Sequence, residues 1–163
     1  MIRFECDYAE GAAPQILERL TQTNLEQTPG YAVDKHCQRA RELIREACGA
    51  PQAAVEFLVG GTQTNQTVIS AALRPYQGAL CAQTGHINVH ETGAIEATGH
   101  KVCTVESPDG KLTPALVESV LAGHNGTEHM VLPRMVYISD TTEIGTVYTR
   151  AELAARVAEL EGK

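Results

Sequence analysis

Apolar and polar positions alternate along this chain with two different periods, and each period indicates a type of element. Helical spacing, or flanking helix-start and helix-end residues, marks the segments 14–20, 34–48, 62–74, 91–98, 113–121 and 149–160. Short apolar or alternating runs predict strands at 55–59, 78–82, 101–105 and 135–139. Because strands alternate with helices and no internal repeat occurs, the pattern predicts an α/β fold. We expect a parallel-rich open sheet with helices on both faces.

Short polar residues and prolines indicate where several of these helices begin. Asp34 and Thr113 are typical N-caps, Pro114 stands at a first helical position, and the segment Thr149 to Glu152 reads as a capping box. Gly49 is typical of a helix end. These signals define helix boundaries from local chemistry alone.

The segment 60–65, Gly-Gly-Thr-Gln-Thr-Asn, lies where a predicted buried strand passes into a helix. A helix N-terminus offers unpaired N–H groups and a partial positive charge, so this junction could bind one compact phosphate. It matches neither the Walker A loop nor the dinucleotide fingerprint. The alternative is that Gly60 and Gly61 only permit a tight turn and close helix packing. Ligands of parallel sheets bind beyond the strand C-termini, which brings the segments 60–65, 83–90 and 140–145 together as the expected site.

Composition narrows the class of partner. The 163 residues are 43% hydrophobic and 20% charged, the balance of one globular domain, and the formal net charge is −7. An acidic chain lacks the basic surface that nucleic acids or anionic membranes attract, so we expect small ligands or protein partners. Five scattered cysteines without a Cys-x-x-Cys pair fit reduced thiols in a cytoplasmic protein. Neither a signal peptide nor a long apolar run is evident.

Two histidines, His86 and His90, stand four residues apart and are followed by Glu91. This spacing permits a metal pair on a helix, but it is not the His-Glu-x-x-His motif and has no third ligand at a telling distance. We therefore expect no metal site. The other histidines are interpreted as structural, and only His86 is selected as a candidate for chemistry.

Five motifs, in this order and spacing, resemble the low-specificity threonine aldolases. They are Cys6-Asp7-Tyr8, the segment 28–34 (TPGYAVD), the segment 60–66 (GGTQTNQ), the segment 86–94 (HINVHETGA) and the segment 140–145 (DTTEIG). Those enzymes are fold-type I pyridoxal-phosphate enzymes related to the β-eliminating lyases. The resemblance covers essentially the whole chain. It implies a single, incomplete domain at residues 1–163, the N-terminal part of an aspartate aminotransferase-like large domain, with an N-terminal arm and first helix at 1–31.

The resemblance also implies roles for individual residues. Gly61 and Thr62 would bind the phosphate of pyridoxal 5'-phosphate through backbone N–H groups and a hydroxyl. His86 would lie against the cofactor ring and take part in proton transfer at the substrate hydroxyl. Cys6 would contact substrate at a position where relatives often have Ser, and a thiol is a weaker donor than a hydroxyl. Glu143 either faces the site or caps a turn.

Asp7 and Tyr31 match the family motifs as well, but each has an equally good structural interpretation, as a turn carboxylate and a half-buried aromatic residue. Three residues that the family reaction requires have no match in this sequence: an Asp for the pyridine nitrogen, an Arg for the substrate carboxylate and a Lys that links the cofactor covalently. The lysines are Lys35, Lys101, Lys111 and Lys163. We therefore expect a piece that is inactive alone. The resemblance also implies homo-oligomers, because the family shares active sites across subunit interfaces.

The leading functional hypothesis is a carbon–carbon lyase of amino-acid metabolism that splits threonine into glycine and acetaldehyde in its full-length form. The same cofactor also permits a second reaction, β-elimination on another amino acid. A third reading is a truncated, inactive domain that serves only in cofactor binding or assembly. The expected partners are an amino-acid substrate and further copies of the chain, without nucleic acid or membrane.

Overall fold

The computed structural model describes Cys6, residues 8–124 and residues 128–161. Two compact units follow each other along the chain, Met1–Phe57 and Leu58–Lys163. Asp7 lies outside the described residues. The assignment of residues 1–163 to a single incomplete domain stays a prediction.

The described part of the first unit contains two helices, α1 (Pro14–Thr23) and α2 (Lys35–Ala47). The predicted cap of α2 is confirmed, because Asp34 accepts hydrogen bonds from the backbone N–H groups of His36 and Cys37 at 2.8 and 3.0 Å. Hydrogen bonds from the side chain of Cys37, and to a smaller extent from its backbone N–H, lower the pKa of Asp34 to about 2. Gly49 follows the helix with a φ of +60°, as expected of a helix end.

The prediction of a buried strand at 55–59 is wrong. This stretch forms no strand, and Val59 is 92% exposed. An apolar run favours extended backbone, but a strand also requires a neighbour that completes its hydrogen-bond ladder. Among the described residues no strand lies beside this run, and its backbone is bound by side chains instead: Arg41 donates to the carbonyl oxygen of Val55 at 2.9 Å, and the N–H of Val59 donates to Gln63 at 3.0 Å.

The second unit is built on three parallel strands, β1 (Gln77–Ala82), β2 (Val102–Val105) and β3 (Leu132–Val136), in the order β2-β1-β3. Its helices are α3 (Gly61–Ala72), α4 (His86–Val89), α5 (Pro114–His124) and α6 (Arg150–Glu161), with a 3₁₀ turn at Glu96–Thr98. The predicted parallel α/β architecture is confirmed. Among the described residues, no helix is long and apolar enough to cross a membrane.

Side chains of β1 alternate between two hydrophobic clusters, one on each face of the sheet. Ala79 and Cys81 pack with Ile69 of α3, whereas Leu80 packs with Val117 of α5. Helices therefore cover both faces, as the apolar pattern predicts. Gly78 permits a close approach to the residue before β2, since a Cβ there would lie 2.6 Å from the carbonyl oxygen of Lys101.

Two predicted elements differ from the structure. A helix at 91–98 is wrong except for its last turn, because Thr92 and Gly93 have φ values of +52° and +74°, which a right-handed helix does not accommodate. The strand predicted at 135–139 instead begins at Leu132 and ends at Val136. Pro133 argues against a strand interior, but β3 lies at the edge of the described sheet, where a missing N–H is tolerated.

Candidate active site

Side chains from three loop or helix segments meet beyond the C-terminal ends of β1 and β3. His86 opens α4 shortly after β1, and Glu143 lies in the loop after β3. The Nδ1 atom of His86 is 3.0 Å from Oε1 of Glu143. Helix α3 joins the same cluster because Asn65 donates a hydrogen bond to Glu91 at 2.6 Å. The expectation that the segments 60–65, 83–90 and 140–145 lie close together is thus met by named contacts.

The first turn of α3 is open at its N-terminus. Gly60 precedes it in extended conformation, and no side chain caps it. Gly61 and Thr62 are exposed, and the hydroxyl of Thr62 has no hydrogen-bond partner among the described residues. A Cβ at Gly60 or Gly61 would meet nothing within 4 Å, so no described side chain fills the space beside these two glycines. A helix of this length with a bare first turn can bind an anion.

His86 is held by carboxylates while much of its ring stays accessible. Its side chain is 42% exposed, and the Glu143 contact orients one edge of the imidazole. The same Glu143 approaches Nε2 of His90 with its second oxygen at 3.4 Å. The two rings are tilted by 51°, with their centroids 5.4 Å apart. Glu143 therefore faces the site, which decides one alternative that the sequence leaves open.

Glu91 is the buried carboxyl group of the cluster, with a side chain that is 0% exposed. Its Oε1 accepts from Asn65 and lies 3.9 Å from Nε2 of His86. Its other oxygen, Oε2, has no hydrogen-bond partner among the residues that the structure describes. Buried carboxylates are rarely left half-satisfied, which makes this oxygen a mark of a polar site rather than of a packed core.

Close packing beneath α4 fixes where His86 stands. A Cβ at Gly85 would lie 3.0 Å from both the carbonyl oxygen of Ala82 and Cβ of Cys81, so the chain turns tightly at the end of β1. Asn88 secures the turn by donating to the carbonyl oxygen of Gln83 at 2.7 Å.

Burial raises the pKa of the Cys81 thiol to about 12, so this cysteine stays protonated and acts as a core residue.

The loop that carries Glu143 is also braced. The hydroxyls of Thr142 and Thr146 are 2.7 Å apart, and Gly145 turns the chain with a φ of +87°. Thr146 donates to the carbonyl oxygen of Asp109 at 2.6 Å, which ties the loop to the turn after β2. These bonds hold the Glu143 backbone without using its carboxylate.

Two further residues that the sequence suggests for the site, Cys6 and Tyr31, belong to the first unit. Cys6 is half-buried and unpaired there, and its contact with substrate stays a prediction. Tyr31 is fully exposed with a φ of +61°, unlike the half-buried residue that its structural interpretation describes. Within the described residues, no group of three or more His, Cys, Asp or Glu side chains could hold a metal ion.

Sequence reasoning missed the contact between Asn65 and Glu91. The two residues are 26 positions apart, and neither belongs to a motif of known spacing that pairs them. The only available signal was an acidic residue directly after His90, which the sequence analysis used for a metal hypothesis.

Comparisons with known proteins identify the family of the chain. Residues 4–161 match the family model described as Beta-eliminating lyase. The chain is similar to the low specificity L-threonine aldolases of Pseudomonas sp. strain NCIMB 10558, at 31% identity, and of Pseudomonas aeruginosa, at 29%. Each of these matches covers 94% of this chain and 44% of the relative.

Among solved structures, the chain is similar to a threonine aldolase of Leishmania major, with a TM-score of 0.93 and 51% sequence identity. That match covers 96% of this chain and 45% of the Leishmania chain. The chain thus spans less than half the length of the relatives that it matches. Because the family model extends over nearly all of its residues, the chain belongs to the beta-eliminating lyase family.

Proposed function

We propose that this chain contributes one side of the active site of a pyridoxal 5'-phosphate-dependent lyase of the threonine aldolase type. The reaction would cleave the Cα–Cβ bond of threonine and release glycine and acetaldehyde. The observation that carries the proposal is the pairing of an open helix N-terminus with an accessible histidine held by Glu143 in the same cluster. The names of the relatives, low specificity L-threonine aldolase, support the same substrate class.

The residues present fit the phosphate end of the cofactor. The exposed first turn of α3 offers the N–H groups of Gly61 and Thr62 and the Thr62 hydroxyl, all donors that suit a phosphate dianion. When bound, the cofactor supplies an electron sink for the pair left on Cα. A lysine for covalent attachment, with groups for the pyridine nitrogen and the substrate carboxylate, would come from outside the matched residues.

His86 would serve the ring and the substrate. Its exposed imidazole face can stack on a pyridine ring, and its edge can accept a proton from the substrate hydroxyl. Cys6 would add a weak contact to substrate. We further propose cytoplasmic location and homo-oligomers in which the N-terminal arm at residues 1–31 contributes contacts.

Cofactor binding is tested first with this chain itself. Equilibrium dialysis with pyridoxal 5'-phosphate should show a loss of about tenfold in affinity for Thr62→Ala, the effect of one hydrogen bond to a charged group. Thr67→Ala is the matched control, because Thr67 is an exposed threonine on the same helix, outside the first turn. Equal affinities for both variants would remove the phosphate site from α3.

The reaction is tested with the product of the whole gene. Release of glycine and acetaldehyde from threonine supports the aldolase, whereas pyruvate and ammonia would favour β-elimination. His86→Ala should retain cofactor while turnover falls by roughly a hundredfold, the lower range for a lost proton-transfer group. Unchanged turnover would exclude His86. A gene product that binds the cofactor without acting on amino acids would favour a binding or assembly role.

A further inference from the structure

The contact between His86 and Glu143 determines which ring nitrogen carries the proton. Nδ1 of His86 lies 3.0 Å from Oε1 of Glu143, a hydrogen-bond distance. An ionised carboxylate can only accept, so Nδ1 must donate. In the neutral ring the lone pair then resides on Nε2. Without such a partner, a neutral imidazole in water prefers the opposite form, with the proton on Nε2.

Nε2 of His86 is left open by its surroundings. The nearest acidic group is Oε1 of Glu91 at 3.9 Å, beyond hydrogen-bond range, and that oxygen already accepts from Asn65. His90 contacts the second oxygen of Glu143, Oε2, and so leaves the contact between Oε1 and His86 in place.

We propose that Glu143 is a positioning residue that fixes His86 in the Nδ1–H form, so that Nε2 accepts the proton of the substrate hydroxyl. In that step the O–H bond breaks, its electron pair stays on oxygen, and an Nε2–H bond forms. The charged ring then stands between Glu143 and Glu91, and it releases the proton to solvent water after the aldehyde has left, which restores the neutral ring. The carboxylate of Glu143 acts as the orienting acid does in a Ser-His-Asp triad. This role rests on the proposed function.

The contacts of both carboxylate oxygens of Glu143 support this assignment. One oxygen contacts His86 and the other lies 3.4 Å from Nε2 of His90, so the carboxylate plane has a defined orientation. The backbone beneath it is held by the bonds of Thr142 and Thr146. Removing the Glu143 carboxylate therefore leaves the loop bonds in place while the His86 ring loses its acceptor.

The test is ¹⁵N NMR of the histidine-labelled chain without cofactor, with His86 assigned through the loss of its signals in His86→Gln. We expect a protonated Nδ1 and a bare Nε2 in the unsubstituted chain. Glu143→Ala should move the proton to Nε2, whereas Glu143→Gln should retain the Nδ1–H form because its amide oxygen still accepts. Glu96→Ala removes an exposed carboxylate from a neighbouring turn and should change nothing.

A proton on Nε2 of His86 in the unsubstituted chain would overturn the inference, as would an identical tautomer in Glu143→Ala. If Glu143→Ala does not fold, the unsubstituted chain and Glu143→Gln still decide. His100 serves as an internal reference, because its Nδ1 contacts the carbonyl oxygen of Gln77 at 3.0 Å and should keep its signal in every variant.

Kinetics of the whole gene product separate this inference from the proposed function. Glu143→Ala should lower kcat by roughly a hundredfold with KM little changed, and Glu143→Gln should recover part of the loss. A kcat unchanged in Glu143→Ala would refute the positioning role even if the tautomer is as expected. If the unsubstituted enzyme releases no glycine, the aldolase proposal fails, while the NMR result still decides whether Glu143 sets the tautomer.

Discussion

Loss of the Asn65 side chain should destabilise the second unit far more than a surface hydrogen bond would. Asn65 donates at 2.6 Å to Glu91, whose side chain is 0% exposed and whose second oxygen has no described partner. In Asn65→Ala, neither oxygen of that buried carboxylate would retain a donor. Hydrogen bonds to charged groups contribute about 1.5–3 kcal/mol, and the uncompensated charge adds to the loss. We expect a decrease of about 3 kcal/mol in the free energy of unfolding.

The assay is hydrogen exchange of the β1 amides, because it reports the stability of the unit that contains the substitution. Asn88→Ala is the matched control: its amide donates at 2.7 Å to the carbonyl oxygen of Gln83, but in an exposed setting between neutral groups. That variant should lose about 1 kcal/mol or less. If Asn65→Ala cost no more than Asn88→Ala, the argument from buried charge would be refuted.

A double-mutant cycle isolates the charge itself. Glu91→Gln keeps the shape of the side chain and an oxygen that can accept from Asn65, but it removes the negative charge. In that background, Asn65→Ala should cost only about 1 kcal/mol, which leaves a coupling of about 2 kcal/mol. A coupling near zero would mean that Glu91 is uncharged in the folded protein.

Three further predictions concern the rest of the chain. Gly78→Ala should reduce stability by about 1–3 kcal/mol, because its Cβ would overlap backbone of the neighbouring connection, whereas Gly11→Ala, in open space, should not. The hydrogen bond from Lys111 holds the pKa of Glu152 at about 2, below the ordinary 4.5. A lowered pKa stabilises the fold above pH 4.5 and loses this effect as the pH falls towards 2, so acid unfolding curves of Glu152→Gln should decline less over that interval. Maleimide at neutral pH should label Cys81 only after unfolding, because the thiol is buried with a pKa of about 12; labelling of Cys81 itself in the folded chain, located by peptide mapping because Cys48 is exposed, would contradict the core assignment.

Local chemistry allowed much of the fold to be predicted from sequence. The Asp34 cap and the capping box between Thr149 and Glu152 are both present, the latter with reciprocal bonds of 2.7 and 3.2 Å. Such signals work because donor and acceptor lie within a few residues of each other. The failures at 55–59 and at 91–98 have the opposite origin. A strand depends on a distant partner, and the positive φ values of Thr92 and Gly93 interrupt a helical pattern that apolar periodicity alone continues.

The sheet topology explains why the sequence could predict that His86 and Glu143 lie at the same site. It also explains why the sequence could not predict the contact between Asn65 and Glu91. In the order β2-β1-β3, the chain leaves β1 towards β2 on one side and later returns to the other side with β3. A crevice opens at such a reversal, outside the carboxyl ends of β1 and β3, and ligands of open α/β sheets bind there. His86 follows β1 and Glu143 follows β3, so strand order alone brings them to the same crevice. Asn65 reaches it from the body of α3, where only the rotation of the helix decides what a side chain meets, and strand order does not fix that rotation.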